Sequence, residues 1–217
     1  MKLYAHPFSS YCQKVLIPLY ENATPFELCL LAPDHPQIMA EHAAVWPLKK
    51  MPVVVDGERT VIEASVIVEY LDLYHPGRTR FVPEDAREAL EVRTMDRFFD
   101  NYVMTPMQKI VLDTIRAPDQ RDPPGVADAH EMLETSYRWL NDTMKGREWA
   151  ASGAFSLADC AAAPSLFYAD WVHPIDASLA DLRAYRGRLL ARPSFARAVD
   201  EARPYRVTFP PGAPNRD

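Results

Sequence analysis

The sequence predicts an α/β N-terminal part followed by an all-α C-terminal part. Up to His75-Pro76-Gly77, short apolar runs of β type alternate with amphipathic helical stretches. From Pro83 onward no run reads as a strand, and apolar residues recur at helical spacing. Met95, Phe98, Phe99, Tyr102 and Val103 form one such stripe, and Leu133, Tyr137, Leu140 and Met144 form another. This switch of period divides the chain into a first domain over residues 1–77, a linker over 78–84 and a helical domain over 85–217.

Each element has its own local reason. Lys2 to Ala5 reads as a short strand, and Tyr11 to Glu21 carries Val15, Leu16, Leu19 and Tyr20 on one helical face. Phe26 to Leu31 is a second apolar run, and Pro36 to Ala44 is a brief helix after the turn Ala32-Pro33-Asp34. Pro52 to Val55 and Thr60 to Ile62 flank Asp56-Gly57, a pair suited to the positive φ angles of a tight hairpin turn. A helix from Ala64 to Tyr74 completes a βαβαββα order. The tail from Arg203, with Pro204, Pro210, Pro211 and Pro214, is expected to be non-helical and to lie along the surface or fray.

Composition excludes several function classes. The chain has 20 Pro against 7 Gly in 217 residues, and no glycine-rich loop that could cradle a dinucleotide or a nucleoside triphosphate. Its net charge of −6 and lack of a basic run argue against nucleic acid or an anionic membrane as the main partner. The N-terminus lacks the charged and apolar regions of a signal peptide, and the chain reads as cytoplasmic. Cys12, Cys29 and Cys160, odd in number and widely spaced, suit neither a disulfide framework nor a metal site, and free thiols and no metal are expected.

Several motifs carry chemistry. A strand that turns into a helix at Ser9-Ser10 presents unpaired N–H groups and the positive dipole end to an anion, although either serine also reads as a plain N-cap. Met51-Pro52 opens a strand, where a cis bond would mark a defined turn and a trans Pro is equally allowed. Ser156-Leu157-Ala158-Asp159 reads as a capping box.

In order and spacing these segments resemble the cytosolic glutathione transferases, and in particular their serine-type (tau, phi and zeta-like) members. Ser9-Ser10-Tyr11-Cys12-Gln13-Lys14-Val15 is similar to the family's Ser-Pro-Phe-x-x-Arg-Val. Pro47-Leu48-Lys49-Lys50-Met51-Pro52-Val53 is similar to Pro-x-x-Lys-[Val/Ile]-Pro-Val. Glu63-Ala64-Ser65-Val66-Ile67 with Tyr70-Leu71 matches Glu-Ser-x-x-Ile-x-x-Tyr-Leu, and the capping box with Pro164 and the later Arg192-Pro193-Ser194-Phe195 also fit.

The resemblance implies a thioredoxin-like domain, a helical domain, a homodimer, and glutathione as co-substrate with a hydrophobic electrophile as second substrate. It implies that Ser9 activates the thiol as catalytic residue, with Ser10 and Tyr4 as alternatives, that the Met51-Pro52 bond is cis and turns the Met51 main chain toward the ligand, and that Ser9, Lys50, Met51, Glu63 and Ala64 bind glutathione. Lys49 competes with Lys50 for the glycine carboxylate. Phe8, Tyr11, Phe98, Tyr102, Tyr168 and Trp171 are candidates for an apolar pocket, though a stripe at helical spacing also reads as core. Trp46 is a candidate dimer contact. Cys12 reads as a small buried hydrophobe rather than a redox centre.

One departure stands out. Ala64 replaces the family's serine, which removes a hydroxyl from the γ-glutamyl carboxylate, and Ser65 points about 100° away around the helix. Conjugation, a glutathione-dependent isomerisation or peroxide reduction, and a non-catalytic binding module all remain open on this sequence.

Overall fold

The computed structural model describes residues 1–217. Strands β1 (Lys2–Ala5), β2 (Glu27–Leu30), β3 (Val53–Asp56) and β4 (Arg59–Ile62) form one sheet in the order β2-β1-β3-β4. β1 runs parallel to β2, with Tyr4 opposite Cys29, and antiparallel to β3, with Leu3 opposite Val54. The β3–β4 hairpin pairs Asp56 with Arg59, and Gly57 in its turn takes a φ of 59°. The parallel pairing needs a crossover, which helix α1 (Ser10–Glu21) supplies. Helices α2 (Pro36–Val45) and α3 (Ala64–Tyr74) complete this thioredoxin-like layer.

The rest is helical: α4 (Ala86–Phe98), α5 (Thr105–Thr114), α6 (Pro123–Thr143), α7 (Leu157–Val172), α8 (Ala180–Ala191) and α9 (Pro193–Ala202). Between α4 and α5 the chain makes a π-helical turn over Phe99–Met104, an irregularity that frequently marks functional sites. No helix is long and apolar enough to cross a membrane.

Two cores meet at α1. On the sheet side, Leu3, Val15, Leu16, Val54, Ile67 and Leu71 pack together. On the other side, Ile17 of α1 and Val68 of α3 join a large cluster built mainly on α7, whose residues from Leu157 to Trp171 are all buried. The three alanines Ala161, Ala162 and Ala163 let neighbours approach this helix closely. Its start is the capping box of Ser156 and Asp159, and Asp159 also accepts from Tyr185 Oη at 2.6 Å and from the Ala150 N–H at 2.9 Å.

The tail departs from expectation. Arg203–Thr208 forms a 3-10 helix, and Phe209 is buried against Phe8, Tyr168 and Trp171. Pro204 sits in the first turn of that helix, where its missing N–H costs nothing, so proline content alone is a poor guide to this segment. The buried Phe209 ring ties the segment back to α7.

Candidate functional site

The N-terminus of α1 lies between two cavities. A polar cleft of about 630 Å³ is lined by Ser9 and Tyr11 of the first turn, Lys50 and Met51 before β3, and Glu63 and Ala64 at the start of α3. A smaller groove of about 210 Å³ has Phe8, Met107, Val111, Tyr168 and Phe209 along its walls. Ser9 and Gln108 border both.

Ser9 occupies the N-cap position of α1 with extended backbone, yet its hydroxyl caps no backbone N–H. The turn is held by other groups. The Ser9 N–H donates to the His6 carbonyl at 2.9 Å, and the Phe8 N–H donates to His6 Nδ1 at 3.1 Å. Tyr168 Oη donates to the Phe8 carbonyl at 3.1 Å, while Gln13 Nε2, fully buried, donates to Tyr168 Oη and to the Pro7 carbonyl. The Ser9 hydroxyl is thereby presented on a fixed turn beside the positive end of α1. Beneath it, burial pushes the Cys12 thiol up to about 11, with the Ser9 hydroxyl and the His6 backbone opposing the shift. Burial likewise pushes the Tyr11 hydroxyl up to about 12, so at neutral pH it stays a neutral donor. Tyr4 turns to the opposite face of the sheet, where it stacks on His42 and donates to Glu41 at 3.2 Å.

The loop before β3 exposes main chain. The Met51-Pro52 peptide bond is cis, and Met51 lies just outside the strand ladder at the cleft. His42, buried on α2, bonds the Lys50 carbonyl at 3.0 Å and fixes this loop from behind. Lys49 and Lys50 both reach the cleft, as does Trp46, which lines it on this chain. Across the cleft, Glu63 has a φ of 67° and ψ of 119°, a conformation that costs a non-glycine residue on the order of 1–3 kcal/mol. Glu63 is the N-cap residue of α3, its side chain caps no backbone N–H, and Ala64 follows as the first residue of the helix on the same cleft.

Behind α3 lies a charged cluster that sequence reasoning missed. Lys14, without any exposure, bonds both Asp100 oxygens at 2.9 and 2.8 Å, pairs with Asp96 at 2.6 Å, and donates to Ser65 Oγ at 2.9 Å. Ser65 donates in turn to Asp96 at 2.9 Å, so its hydroxyl is committed to the cluster. Burial raises the Asp100 carboxyl, and Lys14 opposes that shift. Arg97 closes the cluster at the cleft wall.

The aromatic candidates separate. Phe8 and Tyr168 line the apolar groove, Tyr11 lines the polar cleft, and Trp171 packs beneath Phe8 and Phe209 as a supporting wall. Phe98 and Tyr102 do not join them. Phe98 stacks on Trp139 with ring centroids 4.4 Å apart, and Tyr102 lies beside it on another face of the helical half. The apolar stripe is continuous in sequence, but only Met95, Phe99 and Val103 of it enter the core. Met107, Val111 and Phe209 take the expected places of Phe98 and Tyr102, and the last is reached only because the tail folds back.

Comparison with known proteins follows the same division. Residues 3–79 match the sequence model of the glutathione S-transferase N-terminal domain, and residues 123–191 match that of its C-terminal domain. Glutathione S-transferase F13 of Arabidopsis thaliana is 26% identical, over 90% of this chain and 93% of its own. A probable maleylacetoacetate isomerase of Vibrio cholerae is 25% identical, over 76% of this chain and 78% of its own. Among solved structures, a glutathione S-transferase from Methylobacterium radiotolerans in complex with glutathione sulfonate superposes with a TM-score of 0.78 at 28% identity, covering 91% of this chain and 93% of that one. With both domain models matched in order, and with a thioredoxin-like sheet followed by helices, this chain belongs to the glutathione S-transferase family.

Proposed function

We propose that the chain is a glutathione transferase that ionises the glutathione thiol at Ser9 and directs the thiolate at an electrophile in the apolar groove. The observation that carries this reading is the position of Ser9 on the border of a polar cleft and an apolar groove. The Methylobacterium relative, solved with glutathione sulfonate, supports the choice of tripeptide. Its main chain pairs with that of Met51 as an added antiparallel strand, its glycine carboxylate meets Lys50 or Lys49, and its amino-acid head meets Glu63 and the start of α3.

A thiol of pKa about 8.5 is mostly protonated at neutral pH. The Ser9 hydroxyl and the α1 N-terminus favour its anion, since a hydrogen bond to a charged acceptor and a helix dipole both stabilise the charge. The thiol proton passes to solvent, a C–S bond forms, and the displaced group leaves with its bonding pair or, in an addition, the electrophile takes up a proton. The walls made by Phe8, Met107, Val111 and Phe209 keep water from that step and select an apolar partner.

Isothermal titration with glutathione tests the reading first, and no heat at millimolar ligand overturns it in favour of a non-catalytic module. If binding is seen, Ser9→Ala raises the pKa of the bound thiol by about one to two units and slows turnover of an aryl halide at neutral pH. An unchanged thiol pKa moves the activating role to Ser10 or to backbone donors. Isomerisation is the second reading, favoured by the Vibrio cholerae relative, and it would use the same thiolate as a leaving nucleophile. A homodimer is part of the proposal, with exposed Leu90, Tyr102 and Trp139 as the apolar face it would cover. Sedimentation of a Trp139→Glu variant as a monomer, against a dimeric parent, would support that face.

A further inference from the structure

We propose that Arg97 holds the α-carboxylate of the γ-glutamyl unit, in the place left by the hydroxyl that Ala64 lacks. The inference rests on the glutathione reading above and deepens it by assigning the residue that recognises the amino-acid head. Three observations lead to it. Ser65 cannot supply the missing hydroxyl, because it already donates to Asp96 and accepts from the Lys14 ammonium. Arg97, in the last turn of α4, reaches the same cleft wall as Glu63, Ala64 and Ser65, and its side chain is about half exposed at 51%. Its guanidinium is oriented from behind: Nε donates to Asp96 at 3.0 Å, and Nη2 donates to Asp96 and Asp100, each at 2.6 Å. Nη1 makes no hydrogen bond within the chain, while Nε and Nη2 are both occupied. A planar fork clamped along one edge leaves the N–H groups of the remaining nitrogen for a carboxylate.

Charge decides whether that edge can attract an anion. Asp96 and Asp100 alone would outweigh Arg97 and repel one. The fully buried ammonium of Lys14 restores the balance, so the cluster as a whole is neutral and Arg97 faces the cleft as a usable cation. Glu63, the N-cap residue of α3 on the same cleft, supplies the opposite charge for an ammonium. An arginine edge, an open helix N-terminus and a carboxylate around Ala64 form a receptor for a zwitterionic α-amino acid head.

The experiment compares glutathione with the analogue whose γ-glutamyl unit is replaced by 4-aminobutyryl, which keeps the amine and lacks the α-carboxylate. The unaltered chain is expected to prefer glutathione by about ten- to a hundred-fold, the usual value of hydrogen bonds to a charged group. In Arg97→Gln the affinity for glutathione falls by about ten-fold or more while that for the analogue stays within about two-fold, so the preference collapses. Adding Ala64→Ser to Arg97→Gln restores part of it. Should Arg97→Gln not fold, Arg97→Lys is read the same way, because it keeps a cation against Asp96 and Asp100 but has no second donor edge. A folded Arg97 variant that keeps the parent's preference overturns the assignment and leaves the glutathione reading standing, as does a parent that binds both peptides equally. A parent that binds neither overturns both.

Discussion

Lys14→Met is the substitution for which the structure gives the sharpest expectation. The ammonium has no contact with solvent and makes three hydrogen bonds, to Ser65 Oγ and to both Asp100 oxygens, together with an ion pair to Asp96. Methionine fills similar volume, so the lost interaction is electrostatic rather than a cavity. What remains is two buried carboxylates facing one half-exposed guanidinium. Removing one partner of a buried ion pair costs about 3–5 kcal/mol, a large share of the 5–15 kcal/mol that ordinarily holds a domain. For a chain of this length each kcal/mol moves the melting midpoint by roughly 2–4 °C, so the loss is about 6–20 °C. The assay is thermal unfolding followed by circular dichroism, with the double variant Lys14→Met, Asp100→Leu alongside. The double variant should regain most of the loss, because exchanging a buried pair for apolar residues is often neutral. A single variant that melts within about 2 °C of the parent would refute the reasoning, since it would mean that water or proton uptake compensates the stranded carboxylates.

The remaining expectations concern the connector, a thiol and an acid-sensitive loop. Gly77→Ala should cost about 1–3 kcal/mol in chemical denaturation, because a Cβ there collides with Asn22, whose side chain holds Thr79 by two bonds of 2.9 Å; an unchanged midpoint would show that the connector shifts freely. Cys12, fully buried with its thiol at about 11, should resist a disulfide reagent at pH values near 8 in the native protein and react once unfolded, and an immediate native burst assigned to Cys12 would contradict this. Hydrogen bonds from His75 at 2.6 Å and Tyr70 at 2.8 Å hold the Asp56 carboxyl below its ordinary value. Its folded pKa therefore lies under the unfolded one of about 3.9, so its contribution is present above that pH and is lost as the pH falls through the folded value. Asp56→Asn should flatten the acid side of the stability profile, and a profile parallel to the parent's would exclude that role.

Much of the fold was legible because its signals are local. Alternation around β1 to β4, the Asp56-Gly57 turn and the Ser156 to Asp159 box each act within a few residues, and the structure has them in those places. The residues of the polar cleft were legible through motifs, although the bond type at Met51-Pro52 was visible only through resemblance, since X-Pro allows both isomers. The apolar groove was not. Phe98 and Tyr102 share the helical stripe of Met95 and Phe99, and nothing in spacing says that Trp139 draws them to another face. Phe209 was hidden by its prolines, which signal a break in helix but not where the chain goes afterwards. Lys14 looks, within its motif, like any surface lysine. Its burial depends on carboxylates 82 and 86 positions away on a helix of the other half, and no local pattern encodes that meeting.

The Ala64-Ser65 pair shows what such a meeting changes. Read along the chain, the pair is a loss: the family's hydroxyl is absent from the first position of α3, and the next residue points about 100° away. Read across the fold, that rotation carries Ser65 into the seam between the halves, where it bridges Lys14 and Asp96. The same seam presents Arg97 to the cleft with one edge open. On the proposed binding mode, the groups that fasten α1 and α3 to α4 are also the groups that set the charge at the ligand's amino-acid head. A substitution in this cluster cannot be purely structural. Lys14→Met leaves net negative charge behind Arg97, so it should weaken glutathione binding even at a temperature where the variant is folded. The loss should fall mainly on glutathione and little on the 4-aminobutyryl analogue, because only the α-carboxylate feels that charge at close range. Equal losses for both peptides would mean that the seam acts through general loosening of the site, and that stability and recognition are separate here.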